Sequence, residues 1–134
     1  MTQQQKTILI VDDDIDLLEQ IKLQLLPLGY NVLTAESQAQ AEQLLDNHHP
    51  DLALVDLMME HTDGGFALCH HIKKKFPNTP VIIVTAVASE TGLDFDAATD
   101  EERSWVKADA LLAKPVRFEQ LKKHVEQFLA ENHA

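Results

Sequence analysis

The chain has 134 residues, which suits one domain that buries about two-thirds of its unfolded surface without disulfides or a structural metal. Its 22 acidic residues against 11 basic ones give a formal net charge of −11. That sign disfavours direct binding to nucleic acid, because the phosphate backbone is also negative.

Targeting signals and membrane spans are also missing from the sequence. The first residues lack the apolar core of a signal peptide, and the longest apolar stretch, 81–88, is far too short to cross a bilayer. The single cysteine, Cys69, excludes an internal disulfide and fits a reducing compartment, where a lone helical cysteine is usually a small buried hydrophobe. We therefore predict a cytoplasmic protein without membrane insertion.

Short apolar runs alternate with helical patterns along the whole chain. The runs predict strands over residues 8–11, 31–35, 52–55, 81–84 and 110–113. Apolar residues at helical spacing follow each strand; Asp14 is predicted to cap the first helix and Ser37 the second. The helix between the last two strands is predicted to begin late, near Thr99 or Asp100, after an inserted loop. This alternation predicts an α/β fold, a doubly wound parallel sheet with helices on both faces.

Polar residues stand where the predicted strands end. Asp12 and Asp13 follow the first strand, Asp56 the third, Thr85 the fourth and Lys114 the fifth. In an open sheet of this kind, functional sites lie beyond the carboxyl ends of the strands. We therefore expect these side chains to meet in one crevice.

The acidic residues at the first strand end require a cation. Two carboxylates about 4 Å apart repel by roughly 4 kcal/mol at an effective dielectric near 20. Mg²⁺ is the first candidate, because it binds through one or two carboxylates and leaves room for phosphate oxygens.

The predicted crevice suits phosphoryl transfer onto a carboxylate. Asp56 can attack phosphorus as a nucleophile, while Asp12 and Asp13 hold Mg²⁺. Lys114 and Thr85 can each contact another phosphoryl oxygen.

Four segments of the chain resemble the receiver domains of two-component response regulators. "ILIVDDD" is similar to the acidic-pair strand of that family, "PDLALVDLMMEHTDGG" to the phosphoacceptor strand and loop, "PVIIVTA" to the Thr-Ala strand, and "LLAKPV" to the Lys-Pro strand end. The resemblance implies a flavodoxin-like sheet of order 2-1-3-4-5. It also implies one receiver domain over 1–134, with a core at about 7–131 and no output domain.

The resemblance further implies a role for each site residue. Asp56 is the phosphoacceptor, Thr85 and Lys114 are the switch residues, and Mg²⁺ is bound by Asp12, Asp13, Asp56 and the main-chain carbonyl of Met58.

A receiver of this kind has implied partners and limits. The phosphodonor is a histidine kinase or histidine phosphotransfer protein, and phosphorylation switches a surface that binds an effector not identified by the sequence. Such a bacterial protein is not an enzyme beyond its own phosphorylation and slow dephosphorylation.

The sequence departs from the family pattern at three places. Glu60-His61 replaces the usual Pro-Gly, Leu111 occupies the position of the usual aromatic switch residue, and the stretch from Thr85 to Lys114 takes 29 residues, which is longer than usual. Met58 and Val87 flank the entrance with apolar side chains that cannot orient a hydrolytic water, which predicts a long-lived phosphoryl group.

A small phosphohydrolase of the haloacid-dehalogenase type is the alternative. "ILIVDDDID" also resembles the Asp-x-Asp strand end of that family, with Asp12 as nucleophile and Asp14 as acid/base. The hydrolase has no use for an aspartate at the third strand end, whereas a receiver requires Asp56 there.

Overall fold

The computed structural model describes residues 6–56, 64–85, 109–113 and 116–130. Within these ranges, five parallel strands form one sheet in the order β2-β1-β3-β4-β5. The strands are β1 Thr7–Val11, β2 Asn31–Ala35, β3 Leu52–Asp56, β4 Val81–Thr85 and β5 Ala110–Ala113. This confirms the predicted fold class and strand order.

Four α-helices connect or follow the described strands. They are α1 Ile15–Leu25, α2 Gln38–Asn47, α3 Gly64–Lys75 and α4 Phe118–Ala130. A short 3₁₀ turn, Leu26–Leu28, extends α1 and ends at Gly29, whose φ of 96° is left-handed and therefore favours glycine. The helix predicted near Thr99 lies outside the described residues.

Side chains of the central strands alternate between two cores. On one face, alternate residues of β1, β3 and β4 pack with α1 and α4; this core contains Ile8, Ile10, Leu54, Ile82, Leu18, Ile21, Leu121 and Val125. On the other face, the intervening residues pack with α2 and α3; this core contains Leu9, Val11, Val55, Ile83, Leu45, Leu68 and Ile72. Helices therefore cover both faces of the sheet, as predicted.

Cys69 belongs to the core between the sheet and α3. Its side chain is fully buried, and burial raises the pKa of the thiol to about 11, against a lowering by the nearby Lys73 ammonium. The thiol thus stays protonated and inert at neutral pH, which confirms its prediction as a small buried hydrophobe. Among the described helices, none has the length and apolar character needed to span a membrane.

Candidate functional site

The acidic residues of the first and third strand ends lie side by side. β1 and β3 are neighbours, and Val11 pairs with Val55, so the next residues along each strand, Asp12 and Asp56, emerge at the same edge. Carboxylate oxygens of Asp12, Asp13 and Asp56 all lie within 4.8 Å of one another. The expected convergence of these three residues is therefore found.

Main-chain contacts fix the position of Asp12. Its N–H donates to the carbonyl of Ala35 at 3.1 Å, which extends the pairing of β1 with β2 by one residue. Its Oδ1 accepts from the N–H of Asp14 at 2.9 Å. The carboxylate is thus oriented by the chain that follows it, in a turn typical of aspartate.

The three carboxylates differ in exposure. Asp12 and Asp56 are buried, with 3% and 4% of their surface exposed, whereas Asp13 is exposed. Buried carboxylates resist ionisation unless cations or N–H donors face them. Asp12 accepts such a donor, the Asp14 N–H, and α1 begins three residues after it, at Ile15; the positive end of a helix favours nearby negative charge.

The donor set suits a hard divalent cation. Three carboxylates supply only oxygen ligands, which Mg²⁺ and Ca²⁺ prefer over sulfur or imidazole. Two of the carboxylates are buried and one faces solvent. The residues present therefore fit a magnesium ion that is open to solvent on one side.

The third aspartate of the run, Asp14, is a helix cap. Its Oδ1 accepts from the N–H groups of Asp16 at 3.1 Å and Leu17 at 3.3 Å, and its backbone is extended as in an N-cap residue. This confirms the prediction that Asp14 caps the first helix.

The other predicted site residues are only partly within the described chain. Thr85 ends β4 and pairs with Ala113, the last residue of β5, which Lys114 follows directly in the sequence. Lys114 and Met58 themselves lie outside the described residues, as do His61 and Val87. Leu111 is partly buried against the core under α3.

Two polar residues at the opposite edge of the sheet were missed by the sequence analysis. Lys73 and Asp109 were given no role there. They form an ion pair at 2.7 Å. In the sequence, the only local indication of this ion pair was the aspartate immediately before an apolar strand.

Comparisons with known proteins identify the family. Residues 8–126 match the family described as "Response regulator receiver domain". The chain is 37% identical over 125 residues to transcriptional regulatory protein GlrR of Escherichia coli (strain K12), covering 93% of this chain and 26% of that protein.

Solved structures agree with this match. A CheY-like response regulator receiver domain protein from Methanospirillum hungatei JF-1 superposes with a TM-score of 0.79 at 29% identity, covering 96% of both chains. The response regulator protein TrrA from Thermotoga maritima, solved in complex with Mg²⁺-BeF, gives 0.73 at 28% identity, covering 92% of this chain and 98% of that one. A doubly wound sheet with an acidic cluster beyond β1 and β3 is the architecture of a signalling receiver. The chain belongs to the response regulator receiver domains of two-component systems.

Membership of this family establishes the general function of the chain, that of a signalling receiver. Receiver domains are not conventional enzymes, and they interact with histidine kinases or phosphotransfer proteins. The chain spans about a quarter of the length of GlrR, so the activity of such whole regulators is not transferred to it. The matches give no support to the haloacid-dehalogenase alternative, and Asp14, its acid/base, is engaged as a cap.

Proposed function

We propose that this receiver accepts a phosphoryl group on Asp56 in a Mg²⁺-dependent reaction. The observation that carries the proposal is the cluster of carboxylate oxygens from Asp12, Asp13 and Asp56, all within 4.8 Å of one another. Asp56 stands at the end of the central strand β3, where the sheet opens to ligands.

The transfer breaks one bond and forms another. A carboxylate oxygen of Asp56 attacks the phosphorus of a phosphohistidine on the donor protein. The phosphorus–nitrogen bond breaks as the oxygen–phosphorus bond forms, and its electron pair stays on the imidazole of the donor. The product is an aspartyl phosphate, and no water is consumed.

Three carboxylates and one main-chain oxygen would hold the metal. They are Asp12, Asp13, Asp56 and the carbonyl of Met58. When bound, Mg²⁺ supplies positive charge that offsets the charge gathering on the phosphoryl oxygens. TrrA, a relative of similar fold, was solved with Mg²⁺-BeF, which supports the assignment of this ion.

Thr85 and Lys114 complete the proposed site. The Lys114 ammonium would pair with one phosphoryl oxygen and the Thr85 hydroxyl would donate to another. Phosphorylation of Asp56 would then change the contacts of both side chains, and this change would alter the surface that binds an effector. The receiver would catalyse its own phosphorylation and lose the group slowly, because Met58 and Val87 cannot position a water.

Mass spectrometry of the intact chain tests the proposal. With Mg²⁺ and acetyl phosphate, the wild type should gain about 80 Da, the mass of one HPO₃ group. Asp56→Asn should gain nothing. Asp51→Asn, an aspartate just before β3 rather than at its end, is the matched control and should be labelled like the wild type.

The same experiment separates the receiver from the hydrolase. A persistent adduct in Asp56→Asn together with its loss in Asp12→Asn would place the nucleophile on Asp12 and contradict the proposal. Decay of the adduct, followed after removal of the donor, tests the slow loss; a faster decay in Met58→Gln or Val87→Gln is expected.

A further inference from the structure

Three chain segments are tied together at the amino edge of β4 and β5. The N–H of Asp109 donates to the carbonyl of Val81 at 2.8 Å, and the N–H of Val81 donates to Asp109 Oδ2 at 2.8 Å. Lys73, near the end of α3, lies 2.7 Å from the same carboxylate oxygen. One carboxylate thus joins the beginnings of two strands to a helix.

A second contact holds Lys73 in this place. Its Nζ donates to the carbonyl of Thr79 at 2.9 Å. Thr79 is buried, and its hydroxyl donates to the carbonyl of Pro50, just before β3, at 3.0 Å. Hydrogen bonds therefore run without a break along the amino edge of β3, β4 and β5.

The sequence of β5 does not by itself define its register. The strand reads Ala-Leu-Leu-Ala, so a slip of one residue exchanges the two faces and still gives each face one leucine and one alanine. Register is weakly specified where both faces remain apolar after a slip. β5 has 4 residues and lies at the edge of the described sheet, where it pairs with β4 on one side.

We propose that Asp109, held by Lys73, is a positioning residue that sets the register of β5 and through it the placement of Lys114. The proposal rests on the proposed function, because it assigns Lys114 a role in phosphoryl uptake. The hydrogen bond from the Val81 N–H to the Asp109 side chain distinguishes the observed register from a shifted one, which the apolar pattern alone does not. This bond fixes the observed pairing of Ala113 with Thr85.

A change of register would reach the functional edge. Strands advance by about 3.3 Å per residue and alternate side chains between faces. A slip of one residue therefore moves Ala113 by that distance relative to Thr85, and moves the covalently bonded Lys114 with it. In the sequence, Asp109 directly precedes β5 and Lys114 directly follows it, so a constraint at the start of the strand is transmitted along the main chain.

Two measurements on Asp109→Ala test the proposal. Cross-strand NOEs report whether Ile82 still pairs with Ala110 and Val84 with Leu112. The rate of phosphoryl uptake from acetyl phosphate reports the consequence at the site. We expect weakening or replacement of these NOEs and a rate at least about tenfold lower.

A double-mutant cycle isolates the route through Lys114. Asp109→Ala should slow the wild type but add little in a Lys114→Ala background, because the residue that it positions is then absent. Lys73→Gln should reproduce part of the loss, and Lys73→Arg should restore it. Asp109→Asn keeps an oxygen for the Val81 N–H and should have a smaller effect than alanine.

The chain supplies a matched control ion pair. Lys75 lies 3.0 Å from Asp46 and joins the end of α3 to α2 rather than to the sheet. Asp46→Ala should leave both the NOEs and the rate unchanged.

Each outcome decides the proposal. Unchanged NOEs in Asp109→Ala overturn it whatever the rate, and so does an altered register with a normal rate. Equal slowing by Asp109→Ala with and without Lys114 also overturns it, because the effect is then generally structural. If Asp109→Ala does not fold, Asp109→Asn and Lys73→Gln carry the same tests. A wild type that takes up no phosphoryl group would overturn the proposed function instead, and the NOEs would still decide whether Asp109 sets the register.

Discussion

The two edges of the sheet use carboxylates in opposite ways. At the carboxyl edge, Asp12, Asp13 and Asp56 bring their oxygens within 4.8 Å of one another. At the amino edge, Asp51 accepts from the N–H of Thr7 at 2.8 Å, and Asp109 accepts from Val81 and Lys73. Like charges are gathered at one edge, and at the other each of these carboxylates faces a donor of the same chain.

This contrast distinguishes carboxylates that stabilise the fold from those that we expect to bind a cation. A carboxylate that lies apart from other acids and accepts from a donor within the chain contributes to folding without a ligand. Clustered carboxylates lower stability until a cation binds, and the binding of that cation then stabilises the folded state. On the two proposals above, the strand ends that would bind the ligand are held in register by the opposite ends of the same strands.

Loss of one metal ligand should give the largest effect. Asp12→Asn removes a buried carboxylate of the cluster while keeping an oxygen that can accept from the Asp14 N–H. We expect phosphoryl uptake from acetyl phosphate to fall on the order of 100-fold. Chelation of Mg²⁺ with EDTA should reduce the wild-type rate to a similar degree and have little further effect on the variant.

Two controls define this result. Asp51→Asn, at the amino edge, should retain both the rate and its dependence on Mg²⁺. A rate in Asp12→Asn that is normal and still abolished by EDTA would mean that Asp12 does not bind the metal.

Substitutions at the two edges should change stability in opposite directions. Without Mg²⁺, Asp13→Asn relieves repulsion within the cluster and should raise the thermal midpoint by about 2 °C. Asp51→Ala leaves the N–H of Thr7 without its 2.8 Å acceptor and should lower the midpoint by about 4 °C, equivalent to about 1 kcal/mol.

Added Mg²⁺ sharpens this comparison. It should raise the midpoint of the wild type and of Asp51→Ala by similar amounts, and that of Asp13→Asn by less. Destabilisation by Asp13→Asn in chelated buffer would show that the cluster is not strained by its charge.

Local pattern was sufficient to predict much of the fold and of the site. Apolar runs such as Ile8–Ile10 and Ile82–Val84 are buried on both faces, which only a central strand of a covered parallel sheet requires. Because parallel strands present their carboxyl ends at one edge, the meeting of Asp12 with Asp56 followed from the positions of the strands.

The amino-edge contacts could not be predicted in this way. Lys73 and Asp109 are 36 residues apart in the sequence. They meet only because α3 ends, and β5 begins, beside β4. A lysine in a basic run carries no local sign of its partner, since an exposed helix end explains it equally well. The same reasoning applies to Thr79, whose buried hydroxyl bonds a carbonyl 29 residues away.

Substitution of Asp14 should have the smallest effect of these substitutions, and it tests the contrast between the two edges most closely. It lies at the carboxyl edge beside the cluster, yet its carboxylate faces donors of its own chain, as those of Asp51 and Asp109 do. Asp14→Ala should lower the free energy of unfolding by about 1 kcal/mol through loss of the cap. Asp14→Asn should be nearly neutral, since asparagine caps helices about as well.

The affinity for Mg²⁺, measured by isothermal titration calorimetry, should be almost the same in Asp14→Ala as in the wild type. Ser37→Ala, which removes the side-chain cap of α2, provides the reference for a pure capping loss. A marked fall in Mg²⁺ affinity in Asp14→Ala but not in Ser37→Ala would make Asp14 part of the metal site. Membership of the carboxylate cluster, rather than position at an edge, is thus what we expect to distinguish the metal-binding aspartates from the structural ones.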